Sequence, residues 1–275
     1  VAVGIFHWGT SGAGNEVLAM KFVILFYSFV NIAMGIVAIF TVEDDKIVLE
    51  GEKVSFKGIS KVLKNPAVWI ICLVSFCNHV FCLSIYYYIP YVTDILGAAV
   101  AFGAMMGVLR KFGSIGGNIV GGYLADKFGT GKLMLLAYIV MLVGQISIFF
   151  VPVGAAGAII VTVLFITILT FFHMNYAMAW TMMSEGAVPV EYCGTAAGLI
   201  CTAGAIPETF ISVFAGNLID NHPGITGYRY FFIFLSVVIG LGLILILIWR
   251  QYLKHAKIDK SKIDEKAMED LKQYV

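Results

Sequence analysis

His79, Arg110, Lys111, His173 and Glu208 each stand near the middle of a long apolar run, and between them they could bind an anion and move a proton. An ionisable side chain inside an apolar run is costly, so it faces a partner or a water-filled cavity. A fixed cation in a low dielectric strongly favours a carboxylate, phosphate or sulfonate, which makes Arg110 and Lys111 candidate anion holders. Glu208 is a carboxyl whose protonation follows its hydration and its neighbours, the property a proton-coupling residue needs. The two imidazoles can donate or accept hydrogen bonds, as can the phenols of Tyr86 and Tyr176.

Helical phase groups these residues, because positions three, four and seven apart share a face. Ser75, His79 and Tyr86 fall on one stripe. His173 shares a face with Thr170, Tyr176 and Trp180, a polar and aromatic surface suited to a small ligand. Arg110 lies in line with Gly113, Gly117 and Gly121, a ridge of small residues that lets another helix approach closely, while Lys111 lies about 100° away beside Asn118. Glu208 aligns with Cys201, Gly204, Ser212 and Ala215, and Pro207 beside it favours a kink. The substrate-binding candidates are thus Arg110, Lys111, His79, His173, Tyr86 and Tyr176, with Glu208 for proton coupling. A second reading stands beside this one. Arg110 and Glu208 could neutralise each other as a structural pair, Lys111 could snorkel to the headgroups, and the histidines could be hydrogen-bonded packing residues.

The elements that must position these groups are membrane spans. Residues 22–41, 67–92, 98–125, 133–152, 155–183, 195–219 and 228–249 approach or exceed the roughly 20 apolar residues a spanning helix needs. With 60% hydrophobic and 13% charged residues and a mean hydropathy of +0.92, the chain cannot cover itself with a polar surface. The ionisable candidates occupy four spans. The runs 22–41, 133–152 and 228–249 carry nothing ionisable in their interiors, so two polar spans and one apolar span repeat with a period of three.

Lysine and arginine set the expected orientation. Fourteen fall on one side, in the tract 42–65, at Lys127 and Lys132, and from Arg250 onward, against two, Lys21 and Arg229, on the other. This places the tail and the 125–132 loop in the cytoplasm. The net charge of +1 reflects sorting of signs by side and gives no indication of a nucleic-acid partner. An odd number of spans, an outward start and a first residue of Val1 are expected of part of a longer protein. The expected organisation is the end of a preceding helical bundle over 1–41, a cytoplasmic linker over 42–65, a six-helix transmembrane bundle over 66–250 and a mixed-charge cytoplasmic tail over 251–275.

Between the third and fourth of these runs lies Gly122-Tyr123-Leu124-Ala125-Asp126-Lys127-Phe128-Gly129, which reads as a tight glycine-bounded turn. It resembles the signature loop of the major facilitator superfamily, Gly-x-Leu-x-Asp-Arg-x-Gly-Arg-Lys, at Gly122, Leu124, Asp126, Lys127 in place of Arg, and Gly129. It departs at Thr130-Gly131, where two basic residues are usual, with Lys132 one place late. The resemblance implies an all-α membrane protein, the six-helix C-terminal bundle of a major facilitator fold plus one preceding transmembrane helix. It also implies that the third and last helices of the bundle lie peripherally while the other four line a central cavity. Gly122, Asp126, Lys127 and Gly129 would then form a conformational loop. The function implied is secondary active transport of a small solute by alternating access, with the N-terminal half of the same carrier as partner. The layout looks most like the organic-anion branches, with H+ as coupling ion and the cell membrane as location.

Other chemistries are legible as fragments. Gly9-Thr10-Ser11-Gly12 spells a rhomboid-like serine protease motif, and seven spans with an outside start imitate a heptahelical receptor, although the seventh span lacks a retinal lysine. Asn65-Pro66-Ala67 is a single copy of an aquaporin tripeptide that works in pairs. Cys72, Cys77, Cys82, Cys193 and Cys201 show no Cys-x-x-Cys spacing, so free thiols are expected, with no metal site and no cofactor. No nucleotide-binding motif suggests direct coupling to ATP.

Overall fold

The structure, a computed structural model, describes residues 16–41, 60, 62–186, 188 and 192–255. They are predominantly helical, with no strand among the described residues. The chain divides into two compact units, Val1–Glu52 and Lys53–Val275. The first contains α1, Glu16–Thr41, an apolar helix long enough to cross a bilayer. Most of the expected linker, the tail beyond His255 and the Gly9–Gly12 motif lie outside the described residues.

The second unit is a helical bundle. Its α2, Pro66–Ser84, starts with Asn65 as N-cap, the Asn65 side chain accepting from the Ala67 N–H at 3.0 Å, and with Pro66 where a missing N–H costs nothing. It continues irregularly through a 3₁₀ turn at Ile85–Tyr87, a short α turn and a π turn at Tyr91–Ile95. Then come α3, Val100–Phe128; α4, Thr130–Ser147; α5, Ala155–Met178; the short α6, Thr181–Glu185; α7, Cys193–Ala205; α8, Ile211–Asp220; and α9, Ile225–His255. Six of the described runs are long and apolar enough to span a membrane. The exception is α3, whose 29 residues reach roughly 43 Å but whose middle carries Arg110 and Lys111 among many glycines.

Two sequence expectations change here. The stretch 122–129 is not a turn bounded by two glycines. Gly122, Asp126 and Lys127 remain in the last turns of α3, and only Gly129, at φ +85°, separates α3 from α4. A left-handed residue is the ordinary way to stop a helix, and the Gly129 N–H closes it onto the Ala125 carbonyl at 2.9 Å. The run 195–219 is not one continuous helix either. It breaks into α7, a 3₁₀ turn at Ile206–Thr209 and α8, because Pro207 cannot donate to the ladder.

Packing sorts the helices. The main partner of α3 is α5; α4 packs on α5 and α9; α2 packs on α7 and α9. On α3, a Cβ at Gly117 would meet the Thr170 carbonyl oxygen of α5, and one at Gly121 would lie 3.0 Å from the Met174 Cα. The glycine ridge is therefore a seam where backbone meets backbone, as the spacing implied. Between α4 and α9 the Tyr138 ring covers Gly242, and the Arg250 stem lies 3.4 Å from a Cβ built at Gly131. The start of α4 and the end of α9 thus share one end of the bundle. An aromatic cluster fills the other end, with Tyr88 between Phe165 and Phe232 at ring distances of 4.9 and 5.2 Å, and Tyr91 beside Tyr228 at 5.4 Å.

Candidate functional site

Arg110 leaves the middle of α3 half-buried and meets the irregular end of α2. Its guanidinium carbon lies 4.5 Å from the centroid of the Tyr86 ring, and its Nη2 donates to the Tyr86 hydroxyl at 3.3 Å. The contact combines cation–π attraction with a hydrogen bond. No ion pair is formed by Arg110 with Glu208 or any other carboxylate among the described residues. The neutralising Arg110–Glu208 pair weighed from sequence is therefore not made. Lys111, on the neighbouring face, is exposed.

The polar stripes come apart in an informative way. Ser75 and His79 stay together on α2, the His79 Nδ1 lying 3.0 Å from the Ser75 carbonyl. Because a carbonyl only accepts, Nδ1 carries the proton there, leaving Nε2 as an acceptor in the neutral ring. Tyr86 leaves their stripe, since the 3₁₀ turn at Ile85–Tyr87 changes the angle per residue and carries it to Arg110. On α5, Tyr176 turns toward His79 at a ring distance of 5.7 Å. His173 instead faces α3, its Nδ1 3.4 Å from the Ser114 hydroxyl, with its Cβ 2.9 Å from a Cβ built at Gly117. The expected surface of His173, Tyr176 and Trp180 is thus divided between two neighbours.

Glu208 sits in the 3₁₀ turn and is exposed on the bundle surface. The stripe expected of it also divides. Gly204 and Ala215 are buried, whereas Cys201, Glu208 and Ser212 are exposed, and the break at Pro207 separates the phase of Ser212 and Ala215 from that of α7. Gly204 is pressed against α2, where a Cβ would come within 2.8 Å of the His79 ring. α2 packs on α7 and on the Ile206–Thr209 turn, α3 packs on α5, and the Arg110–Tyr86 contact joins α3 to the irregular end of α2. Asp126 and Lys127 are exposed at the far end of α3.

Sequence reading missed a second polar set, buried between α2 and α4. The Tyr138 hydroxyl donates to Asn78 Oδ1 at 2.8 Å, and the Tyr88 hydroxyl bonds Gln145. Neutral amides and phenols separated by some sixty residues give no local signal; only their position inside apolar runs marked them. The cysteines are free, and no group of His, Cys, Asp and Glu suited to a metal ion occurs among the described residues.

Residues 4–212 match the model of the Major Facilitator Superfamily. The chain is 27% identical over 254 residues to the inner membrane protein YihN of Escherichia coli K12, covering 84% of this chain and 56% of that protein. It is 24% identical over 244 residues to the inner membrane protein YqcE of the same organism, covering 84% and 57%. The chain therefore spans a little over half the length of these relatives. Its fold is similar to that of the transporter FucP, crystallised in the outward conformation, with a TM-score of 0.61 and 14% identity over 86% of this chain and 55% of that one. Family and fold together point away from an enzyme and set aside the receptor and protease readings. An all-helical bundle, charges gathered on the helices that meet around one region, and a family match over most of its length make this chain a member of the Major Facilitator Superfamily, a multi-pass membrane protein of the transporter class.

Proposed function

We propose that the chain supplies the C-terminal half of a secondary carrier for a small organic anion, with one helix of the N-terminal half before it, and that the solute site opens alternately to either side as the halves rock. Arg110 carries this reading. It is a half-buried guanidinium in the middle of α3, held by a phenol and by no carboxylate among the described residues, which supports a role in holding an anionic ligand. Lys111 adds a second cation on the adjacent face, Tyr86 and His173 lie against α3, and His79 with Tyr176 offers hydrogen bonds and ring surface between α2 and α5. The solute class follows from that chemistry: organophosphates, sugar acids or sulfonated sugars, each with an anionic group for the guanidinium.

Glu208 is the coupling residue in this scheme. Its place at a helix break, with no ion-pair partner among the described residues, supports that role. The orientation follows from Lys and Arg: tail and α3–α4 connection in the cytoplasm, in the cell membrane. Asp126, Lys127 and Gly129 at that connection act as the conformational latch.

The experiment is uptake by vesicles containing the full-length parent carrier, screened over organic phosphates, carboxylates and sulfonates with and without a proton gradient. Arg110→Gln should lose at least tenfold in anion binding, the loss of one charge-assisted bond being worth about 1.5–3 kcal/mol, while folded yield stays unchanged. Normal transport by this variant overturns the anion site. Glu208→Gln should abolish gradient-driven accumulation but keep exchange of solute; undiminished accumulation removes Glu208 from coupling. Cysteines placed at Glu52 and Asp264 should label only from the cytoplasm and one at Asn221 only from outside, and the reverse pattern overturns the orientation.

A further inference from the structure

Between α2, α5 and α7 lies a cavity of about 10 Å³, walled by Ser75, Asn78, His79, Tyr176, Trp180 and Ile200. One wall is unusual. Asn78 is 2% exposed, and one end of its amide is held by Tyr138 of α4, while the other, Nδ2, has no hydrogen-bond partner among the described residues. Turning the amide over changes nothing essential: whichever end meets Tyr138, the opposite end remains buried and unpaired. A buried amide in that condition is strongly disfavoured, and native interiors satisfy such groups.

We propose that this cavity is a binding site for one water molecule. Its size matches a single water, and the wall carries the several hydrogen-bonding groups that a buried water needs. The groups are complementary. Asn78 Nδ2 donates to the water oxygen. His79, whose Nδ1 is committed to the Ser75 carbonyl, keeps Nε2 as an acceptor for a water proton. The Ser75 and Tyr176 hydroxyls can serve as either partner. Gly204 of α7 packs directly on two of these groups, since any side chain there would press on Ser75 Oγ at 2.7 Å and on the imidazole at 2.8 Å. The water thereby extends the Tyr138–Asn78 bond from the rear helix α4 to the helices that carry the candidate solute residues, and gives α2, α5 and α7 an exchangeable joint.

The test uses the full-length carrier in lipid nanodiscs with no solute present, so its outcome is independent of the anion reading. A map fine enough to show ordered water should place one oxygen within hydrogen-bond distance of Asn78 and of at least one of Ser75, His79 and Tyr176. An empty cavity, or an Asn78 amide bonded at both ends to protein, overturns the proposal. In parallel, brief X-ray radiolysis oxidises side chains next to bound water. The buried Ile200 in the cavity wall should be labelled in the wild type and lose that labelling in Asn78→Leu, with the exposed Trp69 unchanged; equal labelling of Ile200 in both overturns it. Should Asn78→Leu fail to fold, Ser75→Ala is read in the same way, and the wild-type map needs no variant.

Discussion

The α3–α5 and α4–α9 seams both join long helices of one bundle, yet the first brings backbone against backbone and the second sets large side chains into one-residue recesses. Gly113, Gly117 and Gly121 face Thr170, His173 and Met174 along the first. Tyr138 over Gly242 and the Arg250 stem beside Gly131 make the second. Arg110, Lys111 and His173 belong to the first pair, whereas α4 carries no ionisable group in its interior and α9 keeps its arginines, Arg229 and Arg250, toward its ends. The difference has a physical source. A glycine seam gains its dispersion energy from main-chain atoms, leaving long side chains of the same helices free for other contacts. A seam of knobs in recesses commits its large residues to packing, and Tyr138 adds one buried hydrogen bond to Asn78.

The contrast can be broken by filling the recesses. Gly117→Leu should have the largest effect, because its Cβ would meet the Thr170 carbonyl oxygen, which no rotamer change can move. Overpacking of that kind costs about 3 kcal/mol or more, and folded yield by size-exclusion chromatography should collapse; a normal yield would end the distinction between the seams. Gly242→Ala meets the Tyr138 ring, a side chain that can shift where a backbone carbonyl cannot, and should cost about 1–3 kcal/mol, seen as a lower thermal midpoint. Combined with Tyr138→Leu it should destabilise by less than the sum of the two changes, and strict additivity would mean that the ring is not the obstacle. Tyr86→Phe probes the chemistry above the α3 seam. Deleting the hydroxyl while keeping the ring over Arg110 should weaken anion binding by roughly fivefold, the worth of about one hydrogen bond, whereas an unchanged affinity would assign the whole contact to the ring. Gly116→Ala should matter least, since open space surrounds that position; a small gain of about 1 kcal/mol is expected from helix propensity, and a loss would reveal a contact on that face.

The spans were legible because twenty apolar residues in a row have few other uses, and the glycine ridge because its spacing matches the helical period. Pro207 announced the break in α7–α8. What could not be read was the phase beyond an irregularity: Tyr86 after a 3₁₀ turn and Ser212 after the Pro207 break both left the faces an ideal helix assigns them. The helix extension through Asp126 and Lys127 was hidden by a glycine-rich string in which only Gly129 needs a left-handed backbone. The Asn78–Tyr138 bond escaped notice because it joins neutral groups on different helices.

Gly129 has a mechanical consequence. With one residue between α3 and α4, and successive Cα atoms about 3.8 Å apart, the ends of these two helices are clamped like the arms of a bell crank. A tilt of α3, which bears Arg110, must drag the head of α4 with it. That head abuts the Arg250 stem, so the stroke continues into the foot of α9. A displacement of the charged helix is therefore expected to be felt at the end of α9 as well as at the start of α4.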